Sequence, residues 1–251
     1  MRRTLMMTAG STLQLDTANG RLDGKPAEEI VRWAGETFGD GLAMTSSFGA
    51  QSAVMLHLVT RVLPDLPVIL IDTGYLFPET YQFVRDLTKR LSLNLKVYTP
   101  RVTPARYEAL HGKTWEYAEG LTHYHEVFKV EPLQRALEEL DVTAWLAGLR
   151  SDQTDHRKSL RTVEKQDNLY KVHPILSWSR KDIGAYLAEH DLPYHPLVEK
   201  GYASIGDTHS SRPITEGEDE RAGRFGGFAE ECGIHLPQTE AENESLGSSG
   251  L

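Results

Sequence analysis

The chain has 251 residues, a formal charge of -9 at pH 7 and a single cysteine. That length can bury a sizeable core, as one large α/β domain or one domain with an appendage. The net acidity argues against a general nucleic-acid or membrane-surface binder, so any anionic ligand must be held by local cations.

Residues 1–24 are polar and read as a loosely held N-terminal arm. The opening Met1-Arg2-Arg3-Thr4-Leu5-Met6-Met7 has no sustained apolar run, and no stretch approaches the length of a membrane span. A cytoplasmic protein is expected. From Pro26, the apolar positions Ala27, Ile30, Val31, Ala34 and Phe38 recur at helical spacing and stop at Gly39-Asp40-Gly41. Leu42–Thr45 then reads as a short buried strand. It runs into Ser46-Ser47-Phe48-Gly49-Ala50-Gln51-Ser52 and an apolar helix over 53–62. A small-residue loop between strand and helix leaves backbone N–H groups unpaired at a helix N-terminus, where the dipole also favours phosphate or sulfate. Simple helix capping is the competing explanation for such a loop.

A second strand, 67–71, ends in Asp72-Thr73-Gly74-Tyr75. A helix over 78–91 and a third strand, 93–98, follow. The alternation predicts a doubly wound, mainly parallel sheet with right-handed crossovers, whose ligand crevice lies beyond the strands' carboxyl ends. His111, His123 and His125 fit no standard metal-ligand spacing, and no metal is assigned. A helix over 130–140 precedes a fourth strand, 144–149. The run after that strand, Arg150 to Lys158, makes Arg150 and Arg157 candidate anion ligands. A fifth strand is predicted at 171–176, then a helix through His190 capped by Ser177 or Ser179. Residues 25–206 thus form the nucleotide-binding domain. Residues 207–236, rich in glycine and acidic side chains and carrying Arg221, Arg224 and Cys232, read as a mobile catalytic arm. Residues 237–251 read as a disordered tail.

One thiol cannot form an internal disulfide or build a metal cage, so Cys232 is either an inert buried residue or a nucleophile. Its setting, Glu230-Glu231-Cys232-Gly233-Ile234-His235, is polar and flexible, which favours the nucleophile. The two glutamates raise a neighbouring thiol's pKa, so cations elsewhere must compensate; Lys129, Arg221, Arg224 and His235 are the candidates.

Several stretches in register resemble the phosphoadenylyl-sulfate (PAPS) reductase family over roughly residues 28–236. They are Ser46-Ser47-Phe48-Gly49, Asp72-Thr73-Gly74-Tyr75-Leu76-Phe77-Pro78-Glu79-Thr80, Lys129-Val130-Glu131-Pro132, Gly148-Leu149-Arg150, Tyr202-Ala203-Ser204-Ile205-Gly206-Asp207 and the Cys232 segment. The resemblance implies an adenine-nucleotide α-hydrolase-like fold of the PP-loop type. It implies reduction of PAPS to sulfite and adenosine 3′,5′-bisphosphate in sulfate assimilation, with thioredoxin or glutaredoxin as donor and an S-sulfonate on Cys232. It also implies a homodimer, with Lys129, Arg221 and Arg224 as ligands of the sulfate end. Ser46, Ser47, Gly49, Gln51 and Ser52 would hold the 5′-phosphosulfate side, Asp72, Thr73 and Gly74 would lie near the adenosine, and Arg150 and Arg157 would bind phosphate.

Adenylyl-sulfate (APS) reductases of the same family hold an iron–sulfur cluster through cysteines at places where this chain has Tyr124 with His125 and Asp207 with Ser210. With Cys232 the only thiol, the resemblance points to the cluster-free PAPS branch. One departure bears on substrate choice: Asp155 stands just before Arg157, and a carboxylate there would repel a 3′-phosphate if it faced the site. The alternatives are a cluster-free APS reductase, a PP-loop ATP pyrophosphatase or adenylyltransferase, and a non-catalytic nucleotide-binding module. The usual pyrophosphatase loop, Ser-Gly-Gly-x-Asp-Ser, is not matched by Ser47-Phe48-Gly49-Ala50-Gln51-Ser52, which lacks the second glycine and the aspartate.

Overall fold

The structure is a computed structural model that describes residues 13–215, 217–227 and 234. Its centre is a six-stranded sheet of β1 (Leu42–Thr45), β2 (Pro67–Ile71), β3 (Asn94–Tyr98), β4 (Ala144–Leu146), β5 (Val163–Gln166) and β6 (Leu169–Val172). The order is β3-β2-β1-β4-β6-β5, parallel throughout except for the β5–β6 edge hairpin. Both faces are covered, as a parallel sheet requires, and strand alternation divides the core. Leu42, Met44, Val68, Leu70, Ala144 and Leu146 point to one layer, with α2 (Ala27–Phe38), α3 (Ser52–Val62), α4 (Pro78–Leu91) and α9 (Arg180–Glu189). Ala43, Ile69 and Trp145 point to the other, where α7 (Glu131–Glu139) supplies Leu133, Ala136 and Leu137.

Three local differences from the sequence expectation have physical causes. The stretch expected as a loose arm contains α1 (Leu15–Leu22), which seats Leu22 in the core. Its Asn19 amide both donates to the Val163 carbonyl and accepts from the Val163 N–H, covering part of the β5 sheet edge. The fifth predicted strand is a hairpin instead: β5 precedes it, and the chain leaves the ladder after Val172, before Pro174, which cannot donate to a ladder. The helix predicted from 130 opens with a wider π turn, Glu126–Val130. Pro132 has no N–H to bond the carbonyl of Phe128, and the turn carries Lys129 at its inner face.

The remaining α-helices among the described residues are α5 (Pro104–His111), α6 (Ala118–His125) and α8 (Asp155–Lys158). The root of the expected arm is stitched to the body by a bridge from Leu76 to Asp207, and a second bridge, from Ser211 to Arg224, folds the arm back on itself. No described helix is long and apolar enough to cross a membrane.

Candidate active site

The sheet reverses its winding between β1 and β4, and a cavity of about 260 Å³ opens there, beyond the carboxyl ends of these strands. One wall is the loop after β1, with Ser46, Ser47, Gly49, Gln51 and Ser52 all facing the space. Phe48 anchors that loop, fully buried and in the left-handed region at φ 49°, with its N–H donated to Ser46 Oγ. Helix α3 begins at Ser52, in the cavity wall, with no side-chain cap on its first turn; the Ser52 and Val54 N–H groups are donated to the Gly49 and Gln51 carbonyls, and the positive end of the helix dipole lies at the cavity.

Five cations line the same space: Lys129, Arg150, Arg157, Arg221 and Arg224. Arg150 is 2% exposed and donates through Nε to Asp152 and through Nη2 to Glu220, each at 2.9 Å, and through Nη1 to Gln51 Oε1. Gln153 Oε1 accepts both from the Arg150 N–H and from the Arg157 guanidinium, so one amide sets the spacing of two arginines. Asp155 does not face the site. It is exposed and paired with Lys158 at 2.6 Å, which removes the expected repulsion of a phosphate at Arg157.

At the other end, Lys129 Nζ lies 2.7 Å from Asp207 Oδ2, and Thr73 Oγ1 donates to Asp207 Oδ1 at 2.6 Å. Burial alone would raise the Asp207 pKa. The Lys129 charge and the hydrogen bonds from Lys129 and Thr73 outweigh it and hold the carboxyl well below the usual carboxylate range. Tyr124, His125 and His209 pack around this pair, and burial lowers the His125 pKa to about 3 and that of His209 to about 4. The Arg224 guanidinium lies 4.5 Å over the Phe225 ring and donates to the Ser210 carbonyl and to Ser204 Oγ. Gly206 leaves room for it: a Cβ there would come within 2.3 Å of Arg224 Nη2.

Of the residues singled out in the sequence, Ser46, Ser47, Gly49, Gln51, Ser52, Thr73, Lys129, Arg150, Arg157, Arg221 and Arg224 share this one cavity. Asp72 and Gly74 are not in its wall. Asp72 Oδ1 instead accepts from the Gly74 N–H and from the Tyr81 hydroxyl in a turn. Cys232 and His235 lie outside the described residues, but Ile234, two positions after the cysteine, lines the cavity. Sequence reasoning did not single out Gln153 or Glu220. Both are polar loop residues whose partners are fixed only by the fold.

A parallel sheet with a strand–loop–helix anion seat at its switch point, walled by basic side chains, defines a nucleotide-binding enzyme of the PP-loop type. The profile described as "Phosphoadenosine phosphosulfate reductase domain" matches residues 41–213. The chain is 55% identical over 242 residues to a phosphoadenosine 5′-phosphosulfate reductase of Synechocystis sp., covering 95% of this chain and 97% of that protein. It is 54% identical over 222 residues to one of Xylella fastidiosa, covering 88% and 94%. The crystal structure of the Candida auris PAPS reductase superposes with a TM-score of 0.71 at 33% identity, covering 80% of this chain and 98% of that one. FMN adenylyltransferase of Candida glabrata, at 17% identity and a TM-score of 0.57, shares the fold alone. The chain belongs to the phosphoadenosine phosphosulfate reductase family. Its activity is the reduction of PAPS in sulfate assimilation.

Proposed function

We propose that the reduction runs in two thiol steps through Cys232, with no iron–sulfur cluster. The thiolate attacks the sulfur of PAPS, the bond from sulfur to the 5′-phosphate oxygen breaks, and adenosine 3′,5′-bisphosphate leaves with the electron pair. A reduced dithiol of the thioredoxin or glutaredoxin class then attacks Cys232 Sγ. Sulfite leaves with the electrons of the sulfur–sulfur bond, the donor's second thiol resolves the mixed disulfide, and two protons are released. The donor supplies both electrons, so no resident redox group is required.

The observation that carries this reading is that five cations, the serine loop and Ile234 share one cavity. In it Lys129, Arg221 and Arg224 take the sulfate end, and His235 is assigned to the chemistry of the thiol. The serine loop, with Gln51, takes the 5′-phosphate, and Arg150 and Arg157 take the remaining phosphate; Asp72, Thr73 and Gly74 belong to the adenosine side. Planar guanidinium groups suit these tasks, since they hold oxyanions bidentately and keep their charge. The Candida auris enzyme is a phosphate complex, which supports an oxyanion seat in the shared fold. Tyr124, His125, Asp207 and Ser210, at the places where cluster-binding relatives carry cysteines, include no thiolate. A free thiol and a reduced dithiol both call for a reducing compartment, so this reading assigns the enzyme to the cytoplasm, and the family resemblance adds a homodimer.

The test is the intact mass of reduced protein mixed with PAPS, or with APS, before any dithiol is added. One sulfonate that maps to Cys232 with PAPS, and none in Cys232→Ser despite retained nucleotide binding, is the expected result. No adduct in rapidly quenched samples would overturn the two-step route.

A further inference from the structure

The β5–β6 hairpin lies at the sheet edge and contributes no residue to the cavity wall, yet it carries a buried polar chain. Lys171, on β6, is 2% exposed. Its ammonium lies 5.5 Å from the centroid of the Trp145 ring and donates to Gln166 Oε1 at 3.2 Å. Gln166, at the end of β5, in turn donates through Nε2 to the backbone carbonyl of Ile234 at 3.2 Å. The Ile234 side chain packs on the cluster of Leu133, Trp145 and Leu149 and lines the cavity.

Burying an ammonium is costly unless it makes polar contacts, and the Gln166 amide oxygen is one such contact. An ammonium only donates and a carbonyl only accepts, so a glutamine between them satisfies both in just one orientation, with its oxygen toward Lys171 and its NH₂ toward Ile234. The lysine thereby holds the amide ready to grip a backbone carbonyl.

We propose that Gln166, oriented by Lys171, is a positioning residue that latches the main chain at Ile234 to the sheet edge and so restricts where Cys232, two residues earlier, can reach. The proposal rests on Cys232 being the nucleophile. The latch does not touch the substrate; it acts by limiting the positions of a thiol carried next to Gly233. A lost hydrogen bond of this kind corresponds to roughly three- to tenfold.

The experiment is a rapid-quench measurement of the first step, following sulfonate on Cys232 by mass in reduced protein without any dithiol. PAPS affinity is measured separately by equilibrium dialysis in a Cys232→Ser background. Gln166→Met keeps the length and removes the donor. It also takes away an acceptor of the buried Lys171 ammonium, so the thermal midpoint is expected to fall, while sulfonation slows roughly three- to tenfold at the wild-type PAPS affinity. Gln166→Glu keeps the acceptor for Lys171 but sets an oxygen against the Ile234 carbonyl. It is expected to show the same deficit at neutral pH, narrowing toward wild type as acid protonates the new carboxyl and restores a donor. Sulfonation at the wild-type rate in both variants would overturn the latch. So would a rate in Gln166→Glu, which keeps the acceptor for Lys171, that falls only in step with PAPS affinity or thermal stability, since that marks a structural role. A wild-type protein that takes no sulfonate would overturn the Cys232 reading itself, a result distinct from wild-type sulfonation unaffected by Gln166.

Discussion

Arg150 and Glu220, seventy positions apart, meet through a 2.9 Å hydrogen bond inside the cavity where phosphate is proposed to bind. The Glu220 carboxylate therefore stands where a substrate oxyanion would, on a guanidinium that is 2% exposed. A bound phosphate must displace it or share the arginine with it. Glu220→Gln is expected to tighten PAPS binding roughly three- to tenfold, because a charge-assisted contact no longer competes. Isothermal titration of both proteins at one salt concentration checks this; unchanged or weaker binding would mean that Glu220 supports the ligand rather than mimicking it.

Lys129 and Asp207 form a buried pair, with their side chains 9% and 1% exposed. Removing one member leaves the other charged and without its counter-ion in the interior, which costs roughly 3–5 kcal/mol, whereas removing both is much milder. Lys129→Met is expected to lower the unfolding free energy sharply, and Lys129→Met with Asp207→Asn to recover most of it. Activity is not expected to return with stability, since the proposed sulfate ligand is gone. Urea unfolding beside a PAPS turnover assay separates the two effects, and recovery of turnover in the double variant would remove Lys129 from the sulfate end.

Much of this arrangement is legible in the chain, and the rest is hidden for stated reasons. Apolar runs such as Val68-Ile69-Leu70 mark central strands, and ligands of open parallel sheets sit beyond strand ends, so the serine loop and Arg150 could be found without coordinates. Edge elements leave weaker marks. Val163-Glu164-Lys165-Gln166 alternates without an apolar face, and α1 buries only Ala18, Asn19 and Leu22. The pairs Arg150 with Glu220, Lys129 with Asp207 and Gln166 with Ile234 join distant segments, and no local spacing encodes them.

Arg157 is 4% exposed, is held by Gln153, and has its neighbouring Asp155 turned to solvent. If it reads the 3′-phosphate, which only PAPS carries, Arg157→Ala should weaken PAPS far more than APS. A bidentate or charge-assisted contact is worth roughly 1.5–3 kcal/mol, or about ten- to a hundredfold in affinity. Competition binding with the two nucleotides measures the ratio. Equal losses would assign Arg157 to a part that both ligands share.

His195 is fully buried, and both ring nitrogens are occupied: Nδ1 accepts from the Leu197 N–H, so Nε2 carries the proton and donates to Thr80 Oγ1. Protonating Nδ1 would set a donor against a donor, and burial lowers the pKa to about 4. Between that value and the unfolded value of about 6.5 the unfolded chain binds more protons, so folding stability falls as pH drops through this window and is constant above it. His125 and His209 add to the same slope. His195→Asn, which keeps an acceptor for the Leu197 N–H, is expected to flatten the acid limb of stability against pH. A limb identical to wild type would leave the slope to the other histidines.

Gly206 and Arg224 give the sharpest test of site geometry. A methyl group at 206 would meet Arg224 Nη2 at 2.3 Å and Cζ at 2.8 Å, so Gly206→Ala must move the guanidinium off its seat between Ser204, Ser210 and the Phe225 ring. The displaced group is the end of a long side chain, so the fold can yield locally, and the thermal midpoint is expected to change little. Sulfonation of Cys232 is expected to slow nearly as much as in Arg224→Ala, because both changes take the same cation from the proposed sulfate end. The double variant is then expected to match Arg224→Ala alone, since two changes acting through one group do not add. Full additivity in the double variant would show that Gly206 acts on the ligand directly, through the close approach of its own backbone, and not by giving Arg224 its place.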